Sequence, residues 1–409
     1  MFSSQLIKAG KLFLVGQKSR PSTFGATMLI TGCCIGAGMI GLPVLSALAG
    51  FMPSTVAMFL CYAFTTLTGL LLLEATLWFD TRVNLLTIVE STLGKAGKVA
   101  TLLLFLFLFY CLFVAYFDGG GALFADLLSS IFPFPVSHTA GTIVCLGFVG
   151  GITYAGTRIV DGFNRLLLVG LVVTYITLIA IGIPYVSTQN LTHVDWIATL
   201  GVVPILLICF GYQNLVPSVT YYLKKNVNAI RFAIIIGNFI PFCIYLLWNF
   251  VILGMLSQAR SAPGEEVGMV TQLLQGAVPA LSVIAVVKAF SLFAMLTSFI
   301  PSAVSFVDFL KDGFKKAFHQ EQKNELLVCG LVFIPPFIVS LIYPNLFLNA
   351  LSFAGGFIDV LLFGVLPALV ILIGRNIKKM QGPYQVMGGN VTPILILLLS
   401  LVILIIKVS

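Results

Sequence analysis

In the stretch GCCIGAGMIGLP, Gly36, Gly38, Gly41 and Pro43 stand where a long apolar segment would otherwise run as one helix. Each glycine costs a helix interior about 1 kcal/mol against alanine, and proline removes a backbone donor and clashes with the preceding turn. Backbone unwound inside a bilayer is tolerated only where it is buried in protein or lines a cavity. The stretch is therefore a binding-site candidate. A second one stands at CFGYQNLVPS, where Gly211, Gln213, Asn214 and Pro217 interrupt another apolar segment. Both put a glycine five or six residues before a proline. Paired interruptions at corresponding places in two halves of a membrane chain point to the site of a secondary transporter.

Two other readings of the first stretch compete. Gly36, Gly38 and Gly41 spell GxGxxG, but a dinucleotide site needs a strand before the motif, a helix after it and an acid about 20 residues on. Here the flanks are apolar and the next acid is Glu74. The remaining alternative is a glycine seam along which two membrane helices pack closely.

The elements that must carry these breaks follow from composition. The chain has 409 residues, 59% hydrophobic and only 9% charged, which excludes an ordinary soluble domain. Apolar runs of about 20 residues, the length that crosses a membrane, fall at 24–48, 52–79, 99–131, 139–156, 165–186, 197–222, 230–256, 278–310, 326–343, 346–374 and 391–408. The expectation is an all-α polytopic membrane protein with eleven transmembrane helices, discontinuous in the first and sixth. Segment 1–23 precedes the first span and is basic, with no separate apolar core of a cleavable signal. Residues 24–186 and 197–374 form two five-helix halves of inverted topology, and 391–409 holds the last helix. Of the 22 Lys and Arg, all but Arg260, Lys288 and Lys407 fall in the N-terminal segment or in alternate connections. The positive-inside rule then sets the N-terminus in the cytoplasm and the C-terminus outside. That distribution, including Lys311 to Lys323, suits a lipid bilayer surface and not nucleic acid. The external connection 256–278 is expected to be a solvated cap.

The eight cysteines lie in apolar segments and the three histidines in connections, without metal-ligand or disulfide spacing. No catalytic Ser/His/Asp or Cys/His pattern is present, so an enzyme is not expected, nor is any cofactor. The charged residues within spans that matter most are Glu74, Asp118, Lys288 and Asp359. Such groups are costly in a membrane and face partners or the bundle interior. Lys288 and Asp118 have similar depths counted from the outer face, which predicts an Asp118–Lys288 pair, with Asp359 as the rival partner. Lys288 is either a fixed charge or a carrier of a coupling proton. Tyr212, Gln213 and Asn214, three consecutive hydrogen-bonding side chains in mid-span, need partners or a polar cavity.

GAGMIGLP in the first span, FNRLLL at 163–168, FGYQNLVPSVTYY at 210–222, LTSF at 296–299, FVDFL at 306–310 and FIPP with IYPN at 333–345 resemble the bacterial tyrosine and tryptophan permeases. These form the hydroxy and aromatic amino acid permease family, built on a five-plus-five inverted repeat. The resemblance implies import of a free aromatic amino acid across a bacterial inner membrane, tyrosine first and tryptophan next, by cation symport. Another neutral amino acid is the alternative substrate, and a channel or sensor the alternative class. An amino acid zwitterion would then meet N–H groups around Gly38 to Gly41, beside Gly36 and Ala37, at its carboxylate. Its ammonium would meet the carbonyls of Thr31, Gly32, Phe210 and Gly211. The side-chain slot would take Phe210, Tyr212, Gln213, Asn214, Tyr116, Phe290 and Phe293. Ala294, Thr297 and Ser298 resemble a segment that helps form a sodium site in sodium-coupled relatives of this fold, although the tyrosine permeases share the pattern and are expected to use protons. Glu74, Asp161, Asn164, Arg165 and Asp308 match the family. Asp118, Lys288 and Asp359 depart from it.

Overall fold

The computed structural model describes residues 21–256, 281–318 and 325–408, and these are helical without a strand. The helices are α1 Thr23–Cys34, α2 Gly38–Ala49, α3 Phe51–Leu77, α4 Leu85–Ile131, α5 His138–Tyr154, α6 Thr157–Gly182, α7 Thr199–Cys209, α8 Val216–Tyr222, α9 Val227–Met255, α10 Leu281–Phe318, α11 Glu325–Ile342, α12 Phe347–Asn376 and α13 Val391–Val408. The expected external cap beyond residue 256, the N-terminal segment to residue 20 and the end of the basic run at Lys323 lie outside the described residues. So does the side chain of Asp161.

Helices stand at all eleven expected segments. Among the described residues seven are long and apolar enough to cross a membrane, and the bent pair α1–α2 makes an eighth. The helices α5, α11 and α13 are shorter, near 17 residues. Their starts and stops follow local chemistry. Ser22, Asn84, Ser137 and Asn226 each accept a hydrogen bond from the N–H three residues on, filling an orphan donor of the first turn. Gly94, at φ +76°, kinks α4 between a short N-terminal arm and the long apolar run. Gly50 is needed twice over: its φ is +93°, and a Cβ there would lie 1.9 Å from the carbonyl oxygen of His193.

The packing gathers both broken helices at the centre. The long helix α9 lies along α1 and α3, α10 lies along α6 and α4, and α7 packs against α2, α3 and the middle of α12. Glycine makes the closest of these approaches possible. A Cβ at Gly355 would lie 1.9 Å from the carbonyl oxygen of Pro204, and one at Gly237 2.8 Å from Ile30. Membrane helices gain little by burying apolar surface from lipid, so close contact and internal hydrogen bonds hold them together.

One end of the bundle is locked by charge. Arg375 on α12 donates from Nε and Nη2 to Glu74 on α3 at 2.6 and 2.5 Å, and Glu74 also accepts from the Val386 N–H at 2.7 Å. Both side chains are buried. Glu74 therefore ties α3 to α12 and to the connection before α13. Nearby, burial pushes the Tyr384 hydroxyl up, and the Arg231 guanidinium over its ring at 5.5 Å opposes that shift. Truncating one partner of a buried pair costs about 3–5 kcal/mol, whereas a half-exposed pair is worth about 0–1 kcal/mol. Glu74→Ala is thus expected to lower the thermal unfolding midpoint of the solubilised protein sharply. Glu90→Ala, which breaks only the half-exposed Lys98–Glu90 contact, should leave it within a few degrees.

Candidate functional site

The first helix breaks at Ile35–Ala37, and α1 and α2 meet there at 59°. The glycines allow close approach as well as unwinding. A Cβ at Gly36 would sit 2.1 Å from Ser298 Oγ, one at Gly38 2.7 Å from Cys209 Sγ and one at Gly41 2.7 Å from Leu348 Cδ2. Glycine seam and broken helix are thus two aspects of one geometry. The donors of the break are largely used: Ala37 N–H donates to Ser298 Oγ at 2.9 Å, Met39 N–H to Gly36 O and Ile40 N–H to Ala37 O at 3.0 Å each. Among the described bonds, the N–H groups of Gly36 and Gly38 are left unused. Of the donors expected around Gly38 to Gly41, those of Met39 and Ile40 are thus taken up by the break itself.

The sixth helix breaks after Cys209, continues as a single 3₁₀ turn at Gln213–Leu215 and resumes as α8. Of the four carbonyls expected to be free, Thr31 O accepts from Ile35 N–H at 3.3 Å and Phe210 O from Tyr212 N–H at 3.1 Å. Gly211 O receives only the Cys33 thiol, at 3.6 Å. Open space lies beside Gly32, where a Cβ would meet nothing within 4 Å. Gly32 and Gly211 are thus the better-placed acceptors. Cys33 is exposed here although it contacts the second break, so the two breaks share an accessible crevice.

The three polar residues of the second break divide. Tyr212 is fully buried, donates to Thr65 O at 3.0 Å and fills the notch left by Gly69. Gln213 Nε2 donates to Thr68 Oγ1 at 3.2 Å. Both therefore pin the break to α3, a correction to their expected place in a side-chain slot: the partners that buried polar groups require are supplied by protein. Buried Asn214 Oδ1 and Gln213 Oε1 keep no partner among the described residues. Phe210 is buried with its ring 5.6 Å from Tyr245. Tyr116 on α4 packs 5.3 Å from Phe299, with its hydroxyl beside Ser298 and Ser302. Phe290 packs at a tilt 4.7 Å from Trp248 and is fully buried, and Phe293 fills the notch at Gly170 of α6. The last two thus belong to the packing of α10 on α9 and α6.

The charged residues rearrange the expected pairs. Lys288 Nζ lies 2.7 Å from Asp126 Oδ1, two turns further along α4 than Asp118, and both side chains are partly exposed. Asp118 instead caps the start of α12, accepting from the N–H groups of Asn345 and Phe347 at 3.0 Å each, with His138 Nε2 at 3.4 Å. An Asp118–Lys288 pair is therefore corrected to Asp126–Lys288, because backbone donors already satisfy Asp118. Asp359 is not the partner of Lys288 either. It lies on the π-helical turn Ala354–Asp359 of α12, 7% exposed, with Oδ2 3.7 Å from where a Cβ of Gly211 would stand. In the segment suggestive of a sodium site, Thr297 donates to Ala294 O at 3.1 Å and Ser298 Oγ is bound to Ala37 N–H. Those oxygens stitch α10 to itself and to the first break. No group of three or more metal-ligating side chains forms among the described residues. Asn164 is buried with Oδ1 unbonded, while Arg165 and Asp308 are engaged in interactions within the fold.

Four residues that hold or line the site went unrecognised from sequence. Tyr245 Oη donates to Cys34 O and lies 3.4 Å from Cys209 O, bridging the ends of both first half-helices. Trp248 Nε1 donates to Met39 O at 3.0 Å. The signal was available, since Asn238, Tyr245 and Asn249 recur on one face of α9 at helical spacing. Cys33 and Asp126 are the others. Asp126 lies five residues from the end of α4 and Lys288 seven from the start of α10, a closer match in depth than Asp118.

A multi-span helical protein with two broken helices meeting at its centre has the architecture of a membrane transporter. The fold matches that of MhsT, solved in complex with L-phenylalanine, at a TM-score of 0.64 and 13% identity over 96% of this chain and 99% of that one. The model of the tryptophan/tyrosine permease family matches residues 19–407, and the chain belongs to that family. It is 32% identical over 388 residues to tyrosine-specific transport system 1 of Haemophilus influenzae, covering 93% of this chain and 95% of the relative. It is 28% identical over 395 residues to the tryptophan-specific transport protein of the same organism, covering 92% and 93%. The family is one of permeases, not enzymes.

The contact between Gly36 and Ser298 makes a two-residue test. Gly36→Ala forces its methyl into Ser298 Oγ, an overpacking worth about 1–3 kcal/mol. With Ser298→Ala added, the nearest remaining atom is Ser298 Cβ at 3.4 Å. The double variant should therefore unfold within about 1 kcal/mol of Ser298→Ala alone, measured by thermal unfolding in detergent.

Proposed function

We propose that the chain is a secondary transporter importing a free aromatic amino acid, tyrosine ahead of tryptophan, by alternating access and cation symport, with the proton ahead of sodium. The observation that carries this reading is the contact between the two breaks. Unused N–H groups at Gly36 and Gly38 face a carboxylate, and under-used carbonyls at Gly32 and Gly211 face an ammonium, on two elements that meet at Cys33. This divides the polar ends of a zwitterion between two half-helix termini without a fixed charge. Tyr116 and Phe210 supply aromatic walls. The unbonded Asn214 Oδ1 is an acceptor for a phenol O–H or an indole N–H, which favours tyrosine and tryptophan over phenylalanine. Family membership and the names of the relatives support the same substrate class.

The reading sets the protein in a bacterial inner membrane with the N-terminus in the cytoplasm, eleven crossings and the C-terminus in the periplasm. The halves 24–186 and 197–374 are inverted repeats around the two breaks, and alternating access rocks one bundle of helices against the other.

The test is uptake of labelled tyrosine into proteoliposomes under separately imposed proton and sodium gradients, with tryptophan, phenylalanine, serine and leucine as competitors. Tyrosine and tryptophan are expected to compete at concentrations at least tenfold below serine or leucine. Saturable uptake in which serine or leucine outcompetes both would overturn the assignment. Bound tyrosine should also slow modification of Cys33 by a thiol reagent several-fold, read by mass spectrometry with Cys33→Ser as the control.

A further inference from the structure

Asp359 is the one buried acid of the described core that the fold leaves without a partner. Glu74 is met by Arg375 and the Val386 N–H, and Asp118 by two backbone N–H groups and His138. Among the described residues neither oxygen of Asp359 accepts a hydrogen bond or an ion pair, although the residue is only 7% exposed. An ionised carboxylate so placed is strongly unfavourable unless positive charge meets it.

Its position shows what that charge is for. The π turn Ala354–Asp359 packs on α7, and Asp359 Oδ2 stands by Gly211, within electrostatic range of the Cys33 thiol that opens onto the crevice between the breaks. π-Helical turns concentrate at functional sites because they displace a side chain from its regular helical direction. The titratable groups on the surrounding elements are Cys33 on α1, Cys209 on α7, Tyr116 and Asp118 on α4 and Lys407 on α13. Lys407 gives its ammonium to Ser352 Oγ at 2.7 Å, and none of the five pairs with Asp359. A sodium ion needs several hard oxygen ligands, and the oxygens beside the carboxylate at Gly211 are the carbonyls of Leu207 and of Ile208, which already accepts from the Gly211 N–H. A proton needs one oxygen. Lys288, the other in-span candidate for a titrating group, is held by Asp126 in a partly exposed pair toward the outer end of its helix.

We propose that Asp359 is the carrier of the coupling proton: its carboxylate takes one proton when the crevice faces outward and releases it when the crevice faces inward, with substrate bound beside it at Gly211. No other bond forms or breaks, and the same atom gives back what it took. The proposal rests on the transport reading above and adds to it the residue and the ion.

The experiment is tyrosine accumulation by proteoliposomes of wild type, Asp359→Asn and Asp359→Glu, under an inward proton gradient and, separately, an inward sodium gradient. A pH-sensitive dye records substrate-induced proton entry. Wild type is expected to accumulate tyrosine with the proton gradient and to acidify the lumen. Asp359→Asn should lose at least tenfold in gradient-driven accumulation, together with the dye signal. Asp359→Glu, which keeps the acid, should recover most of both. Accumulation by Asp359→Asn equal to wild type overturns the proposal, as does wild-type accumulation driven by sodium alone. So does an Asp359→Glu variant as inactive as Asp359→Asn, since the carboxylate would then be structural. If wild type moves no aromatic amino acid under any gradient, it is the transport reading that fails.

Discussion

Backbone that leaves a helix inside a bilayer must find hydrogen-bond partners within the protein, and this structure is arranged around meeting that demand at two places. Ser298 reaches from α10 to the Ala37 N–H, Tyr245 from α9 to the carbonyl of Cys34, and Trp248 from the same helix to Met39 O. Three side chains thus take up groups at or just past the first break, and among the described residues the donors at Gly36 and Gly38 and the carbonyl of Gly32 stay unbonded while that of Gly211 meets only a thiol. A site made of what remains after the fold is satisfied is already shaped before a ligand arrives. Pre-shaping lowers the entropic cost of binding.

The same economy governs the charges. Among the described residues every buried acid but one is matched, and each match ties separate elements: Glu74 joins α3, α12 and the connection before α13, while Asp118 joins α4 to the start of α12. Asp118 faces the positive end of a helix, where an anion is welcome without a countercharge. The exception, Asp359, lies where both breaks can reach it. The helix carrying it is held at one end by Asp118 and near the other by Glu74, so the acid is borne on an element fixed at two points.

Much of the architecture was legible from sequence. Apolar runs of membrane length located all eleven helical segments, and glycine with proline located both breaks, because hydropathy and backbone cost are local properties. The assignments that shifted all concerned partners. Tyr212 and Gln213 needed hydrogen bonds, as their mid-span position demanded, but found them on α3 instead of in a ligand slot. Lys288 needed an acid and found Asp126, since counting depth from approximate span ends misplaces a residue by about two turns.

By itself, the sequence determined that the chain crosses a membrane repeatedly, that two of its helices cannot run straight, and to which family it belongs. These follow from composition, from the cost of glycine and proline, and from motifs contiguous along the chain. Only the tertiary structure decided which unwound groups stay free, which acid stays unpaired, and that Cys33 meets Gly211 across 178 residues of chain. A hydrogen bond acts over about 3 Å, and no periodicity in a sequence fixes which face of one helix will lie that close to another.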